Sequence, residues 1–198
     1  MFSLRYKVRR GRPADAPVAL KIFLSALREH GFLTIAGSVD QAELASFGVR
    51  EPTRDDFVAV SGGKVVGFVT SVQRCDRTAE LTKVFVAPSH RDRGVGTMLI
   101  TRAVQTARAR GYEALHLETS EAFAGARRYY ERHGWERSPG EESVEGNSTT
   151  TTYRLSLLGA RRAAPVPLEL PRFLRLILSL LGSALRLKQR LDARAGRT

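Results

Sequence analysis

The sequence predicts an α/β fold, a mixed and mostly antiparallel sheet of about seven strands flanked by about four helices. Three observations carry this expectation. The apolar, β-branched run Val84-Phe85-Val86-Ala87 stops at Pro88 and gives way, after a short basic turn with Gly94 and Gly96, to an amphipathic helix. Two more apolar runs, Phe57–Ser61 and Lys64–Thr70, flank Gly62-Gly63, as in a β-hairpin with a two-residue turn. Strand and helix patterns then alternate again from Ala114 to Leu157.

Taken in order, Leu4 to Arg9 alternates apolar and basic residues, as a half-exposed strand does. Pro13-Ala14-Asp15 opens a helix with Val18, Ile22, Leu24 and Leu27 as its apolar face and a stop near His30-Gly31. Asp40 to Phe47 reads as a short second helix with Leu44 and Phe47 inward. After the hairpin, Glu80 to Val86 forms a longer strand. Gly96 to Arg110 is helical, with Leu99, Ile100, Ala103, Val104 and Ala107 on one face and Gly111 as the stop. Ala114 to Glu118 is a strand, Phe123 to His133 a helix, and Trp135 begins a further strand. Pro139 to Ser148 reads as a polar loop holding Glu141, Glu142 and Glu145, before Thr150 to Leu157 closes the sheet.

Composition and charge set the organisation. The chain has 198 residues and a net charge of +12, and the excess lies at its ends: +5 in residues 1–12, +7 in residues 159–198, and 18 basic against 18 acidic groups between. A basic face on the folded body is therefore absent, which argues against a nucleic-acid partner. Residues 1–158 make one domain and residues 159–170 a proline-rich linker. Residues 171–198 make a basic amphipathic helix and tail, whose apolar stretch is shorter than the roughly 20 residues that span a bilayer. Something other than water should cover that helix: its own domain, a second copy or partner protein, or an anionic membrane surface. The single Cys75 excludes an internal disulfide and a cysteine-based metal cluster. No metal-ligand spacing joins His30, His90, His116 and His133. With no secretory signal at the start, the expected setting is cytoplasmic.

The strand–turn–helix unit is the centre of the chemistry. A glycine turn at a helix N-terminus presents unpaired N–H groups and the positive end of the helix dipole to an anion. Gly94 and Gly96 let the backbone come close, and Arg91 and Arg93 add positive charge. The motif is not a P-loop, because Thr97-Met98 follows Gly96, and not a dinucleotide fingerprint, because Leu99 stands where a small glycine is needed. Arg91-Asp92-Arg93-Gly94-Val95-Gly96, straight after Val86-Ala87-Pro88, resembles the acetyl-coenzyme A loop of the GNAT superfamily of N-acetyltransferases. Ala126-Arg127-Arg128-Tyr129-Tyr130-Glu131-Arg132-His133-Gly134-Trp135 resembles that family's other landmark, and the resemblance runs from about Leu4 to Leu157.

The resemblance implies an acetyl-CoA-dependent N-acyltransferase acting on a primary amine. It places the pyrophosphate against Arg91, Asp92, Arg93, Gly94, Val95, Gly96 and Thr97. It gives the pantetheine arm to the backbone of Val84, Phe85 and Val86, where the strand splays from its neighbour, with the N–H of Val86 polarising the thioester carbonyl. Tyr130 stands at the position of a frequent general acid, and a phenol with a pKa near 10 is protonated at neutral pH. Its other reading is a packing tyrosine. Glu80 stands where some members carry a catalytic base; the alternative is a structural carboxylate paired with Arg74, Arg77 or Lys83. Glu118 is the reserve base. Phe123 departs from the family's pattern, which often has an asparagine there against the cofactor.

Three functions fit these observations: an enzyme acting by direct attack in a ternary complex, a non-catalytic CoA-binding module, or a membrane-surface protein defined by its tail. Intact loop and tyrosine motifs favour the enzyme. Substrate-facing parts would be the first two helices, their connection and the late-sheet loop, where Glu141, Glu142 and Glu145 either attract a cationic amine or are simply solvated.

Overall fold

The computed structural model describes residues 6–32, 39–145 and 148–158. The expected linker and C-terminal helix, with their proposed covers, lie outside the described residues, as does the start of the first strand at Leu4. A seven-stranded sheet runs in the order β1-β2-β3-β4-β5-β7-β6. Its strands are β1 (Lys7–Arg10), β2 (Arg54–Ser61), β3 (Lys64–Cys75), β4 (Thr78–Val86), β5 (Ala114–Ser120), β6 (Glu136–Glu145) and β7 (Ser148–Ser156). Every neighbouring pair is antiparallel except β4 and β5. That parallel pair needs a crossover, which α3 (Val95–Ala109) supplies. The remaining helices are α1 (Ala16–Glu29), α2 (Val39–Ala45) and α4 (Ala124–Arg132). Among the described residues no helix is long and apolar enough to cross a membrane.

Alternation along the strands sends apolar side chains to two cores. Phe57, Ala59, Val69, Ala79, Leu81, Leu115 and Leu117 pack with Leu99, Ile100, Ala103 and Ala107 of α3 and Tyr130 of α4. On the other face Val58 and Phe68 pack with Ala19, Ile22 and Phe23 of α1 and with Leu44 and Phe47. The first helix therefore buries Ala19, Ile22, Phe23 and Ala26, whereas Val18 is 39% exposed. The buried residues are one helical stripe at i, i+3, i+4 and i+7, and two of them are alanines, which the larger Val18, Leu24 and Leu27 outweigh in the sequence. Leu24 and Leu27 pack at the edge of that core.

The hairpin strands are longer than their apolar runs. Arg54, Asp55 and Asp56 are buried in β2 because each finds a partner: Arg54 Nε lies 2.9 Å from Asp56 Oδ2, and Asp55 pairs with Arg10 and Arg110. The expected loop at Pro139–Ser148 is instead mostly β6 and the start of β7, with Glu142 opposite Thr151 and Glu145 opposite Ser148. A register shift between Arg137 and Glu142 accommodates Pro139 and Gly140, which an edge strand tolerates.

Candidate active site

The site is created by what happens to β4 halfway along its length. β4 pairs with β5 only from Thr78 opposite Ala114 to Leu81 opposite Leu117. Against β3, Ser71 faces Leu81 and Thr70 faces Lys83, so Thr82 is an extra residue, a β-bulge. Beyond it β4 keeps β3 and leaves β5. The bulge is pinned from α2: the Thr82 hydroxyl donates to Glu43 Oε1 at 2.8 Å, and the Lys83 ammonium pairs with Glu43 Oε2.

The ladder parity shows which backbone groups face the opening. Ala87 N–H donates to Val66 O at 2.8 Å, so Phe85 and Lys83, at alternate positions, also turn their backbone groups to β3. Val84 and Val86 turn theirs the other way, where β5 no longer pairs. Arg91 Nε meets Val86 O at 3.1 Å from that side. Of the three expected residues, Val84 and Val86 thus line the splay with main-chain groups. Phe85 instead packs its ring against Phe23 and Phe68, with centroids 5.1 and 5.8 Å away.

At the end of β4 the chain turns through Pro88–His90 and enters α3. Asp92 has φ 57° and Gly94 φ 77°, both left-handed, which folds the loop back on the helix start. The first helical bond runs from Met98 N–H to Gly94 O, and no side chain caps the helix. The N–H groups of Val95, Gly96 and Thr97 are therefore unpaired within it. A Cβ on Gly96 would meet nothing nearer than Val86 Cγ2 at 4.0 Å, so the protein itself does not need glycine there. Arg91 braces the loop, since its Nη1 also pairs with Glu29 of α1 at 2.7 Å. Arg93, exposed, makes no ion pair among the described residues.

Tyr130 is 5% exposed, against Trp135 and Tyr153 at ring distances of 5.5 and 5.8 Å. Burial pushes its pKa above the ordinary phenol value, with a smaller contribution from Tyr129, so it stays protonated. Tyr129 stacks on His133 at 3.9 Å, and burial pushes its pKa above the ordinary phenol value. Phe123 precedes α4 and packs on His30, Phe32 and Phe85, with centroids 4.6, 5.7 and 6.1 Å away. An aromatic contact thus stands where the asparagine contact was expected to be absent or replaced.

Glu80 lies just before the bulge, on the sheet face opposite Leu81, the face on which α1 packs. Its Oε2 accepts from Arg74 Nε at 2.6 Å, and Oε1 has no partner among the described residues. Arg74 Nη2 is 3.8 Å from Glu118 Oε1. His116, 4% exposed, sits opposite Glu80 on one side and Arg154 on the other. The sequence offered Glu80, its pairing with Arg74, and Glu118, but not His116 or Arg154, although the alternation of Leu115 and Leu117 with His116 and Glu118 in one strand was a usable signal. Cys75 ends β3 opposite Thr78 at the start of β4, with its Sγ 3.0 Å from Thr78 Oγ1.

His116 has its pKa lowered from 6.5 to about 4, by burial first and then by the positive fields of Arg74 and Arg154. Its folded value is below its unfolded one, so the unfolded chain takes up the proton first as pH falls. The associated stability is fully present above pH 6.5 and is lost between 6.5 and 4, amounting to about 3 kcal/mol. Urea midpoints measured from pH 7 to pH 4 should therefore fall less steeply in His116→Gln than in the parent. Identical slopes would contradict this assignment.

Residues 24–135, more than half the chain, match the model of the acetyltransferase (GNAT) family. An uncharacterized N-acetyltransferase of Methanocaldococcus jannaschii is 36% identical over 100 residues, covering 46% of this chain and 41% of that protein. N-acetylaspartate synthetase of Rattus norvegicus is 29% identical over 119 residues, covering 60% of this chain and 40% of that protein. The chain thus spans about two fifths of the length of these curated relatives. A proposed acetyltransferase of Salmonella typhimurium, solved with its cofactor acetyl-CoA, superposes with a TM-score of 0.65 at 20% identity, over 82% of this chain and 98% of that one.

Proposed function

Since the chain belongs to the acetyltransferase (GNAT) family, we propose that it moves the acetyl group of acetyl-CoA to a primary amine, by direct attack in a ternary complex. The observation that carries this reading is the bulge at Thr82, which opens β4 from β5 and leaves the backbone of Val84 and Val86 facing the gap. That gap leads from the uncapped first turn of α3. Residues 1–158 are the catalytic domain on this reading, in a reducing, cytoplasmic setting that suits a lone cysteine.

The residues present fit the cosubstrate. The free N–H groups of Val95, Gly96 and Thr97, the open approach at Gly96 and the unengaged Arg93 suit a pyrophosphate. Arg91 and Asp92 shape the loop, Arg91 through Val86 O and Glu29 and Asp92 through its left-handed backbone. When bound, acetyl-CoA supplies an acetyl group activated as a thioester. Its arm would follow β4 from the α3 turn back toward the bulge, passing Val86 before Val84. We therefore give polarisation of the carbonyl to the N–H of Val84, nearer the bulge, rather than to that of Val86.

Glu80 Oε1 accepts the proton of the incoming amine, directly or through water, while Arg74 fixes the carboxylate by Oε2. The Tyr130 hydroxyl donates a proton to the departing sulfur. Orientation contributes as much as these proton transfers, because the attack becomes effectively unimolecular. One relative's name, N-acetylaspartate synthetase, specifies an acetylated amine that carries carboxylates. Thiol release from acetyl-CoA should depend on an added primary amine. Tight acetyl-CoA binding with no amine-dependent release would leave a CoA-binding module instead.

A further inference from the structure

Resting on that acetyl-transfer reading, we infer that the row Glu80, His116 and Arg154, across β4, β5 and β7, is the acceptor subsite. It selects amines that carry a carboxylate beside the amino group, as amino acids do. Glu80 is opposite His116, and His116 is opposite Arg154, so the three are in register across adjacent strands. They share the sheet face on which α1 packs against β3 and β4, and the row continues past those strands to β7.

Two guanidinium groups keep a donor to spare here, Arg154 in the row and Arg74 beside it on β3, the latter already held by Glu80 through Nε. Arg154 Nε and Arg74 Nη1 are both buried and have no hydrogen-bond partner among the described residues. A buried charged donor without an acceptor is costly, and a carboxylate is the acceptor whose geometry a guanidinium fork matches. His116, more than nine-tenths buried, has its Nδ1 likewise without a partner. Its imidazole stays neutral in the field of the two arginines, so it adds polarity without repelling an approaching ammonium.

The other end of the row is acidic. Glu80 Oε1 lies at the start of the splay, and Glu118 is two residues beyond His116 in β5. Carboxylates and guanidinium groups alternate along the row, from Glu80 past His116 to Arg154 and then to Glu136, which stands opposite Arg154 on β6. Such alternation suits an acceptor that bears both charges. Glu80 and Arg154 flank His116 from the strands on either side of β5, two strand spacings or about 10 Å apart at the backbone, so their long side chains must cover most of the span to a small zwitterion. With the ammonium at Glu80, beside the opening of β4, the carboxylate falls toward Arg154.

The test compares amines that differ only in the carboxylate, phenylalanine against phenethylamine and lysine against cadaverine, using the full chain and acetyl-CoA. The acid-bearing member of each pair should have a kcat/KM at least tenfold higher. Arg154→Gln should collapse that ratio below threefold through KM, and Arg154→Lys should restore part of it. Equal kcat/KM within the pairs, or an equal loss for both members in Arg154→Gln, would overturn the subsite while leaving acetyl transfer in place. Calorimetry of the same compounds on the CoA-saturated chain separates the two readings. Amino-acid binding that Arg154→Gln weakens tenfold, without transfer, supports the subsite and removes the catalytic reading. Neither binding nor transfer for any compound overturns the subsite.

Discussion

Gly96→Val should raise the dissociation constant for acetyl-CoA by about 100-fold or more while leaving the fold intact. The side chain meets no protein atom within ordinary contact, since the nearest to a Cβ is Val86 Cγ2 at 4.0 Å. Nor is the backbone of Gly96 left-handed, so a branched residue is not strained there. What the new side chain obstructs is the approach of an anion to the free N–H groups of the first turn of α3. Hydrogen bonds to a charged group contribute about 1.5–3 kcal/mol each, so losing two of them accounts for that factor. Gly94 differs, because its φ of 77° makes any side chain costly by roughly 1–2 kcal/mol. Gly94→Val should lose both stability and binding, and Gly96→Val binding alone. Calorimetric titration with circular dichroism on each variant distinguishes the two, and unchanged binding in Gly96→Val would show that the pyrophosphate lies elsewhere.

Tyr130→Phe should lower kcat by roughly 100- to 10,000-fold, the range general acid catalysis contributes, with a much smaller effect on acetyl-CoA binding. The ring contacts with Trp135 and Tyr153 survive the substitution, so the variant loses a hydroxyl and little packing. Solvent water can replace part of the proton transfer, which places the result toward the lower end of that range. A variant with full turnover from neutral to alkaline pH would reduce Tyr130 to a packing residue.

Much of this molecule was legible in its residues, for reasons that differ by element. Gly62-Gly63, Pro88, Gly94 and Gly111 punctuate the chain where backbone geometry is most demanding, so the hairpin and the α3 unit could be read locally. The face of α1 could not, because two of its four buried residues are the small Ala19 and Ala26, while larger apolar residues such as Val18 lie off the buried stripe. The ends of β2 and β3 far from the turn were hidden because they are polar, Arg54-Asp55-Asp56 in one and Gln73-Arg74 in the other, with Asp56 satisfied by Arg54 and Thr70. At the site, the glycine loop and Tyr130 stood out by motif. The bulge at Thr82 has no local signature, since it exists only as a mismatch of register between β3 and β4. Likewise, the grouping of Arg74, Glu80, His116 and Arg154 depends on three separate strand pairings.

A single-turnover experiment tests direct transfer from acetyl-CoA to an amine most closely. Full-length protein loaded with acetyl-CoA is mixed with an amine, quenched at intervals, and assayed for free thiol, acetylated amine and the mass of the protein. Thiol and acetylated amine should appear together, at the same rate and only when amine is present, with the protein mass unchanged throughout. Thiol released ahead of product, with an acetyl group carried on the protein at Cys75 or elsewhere, would contradict direct attack.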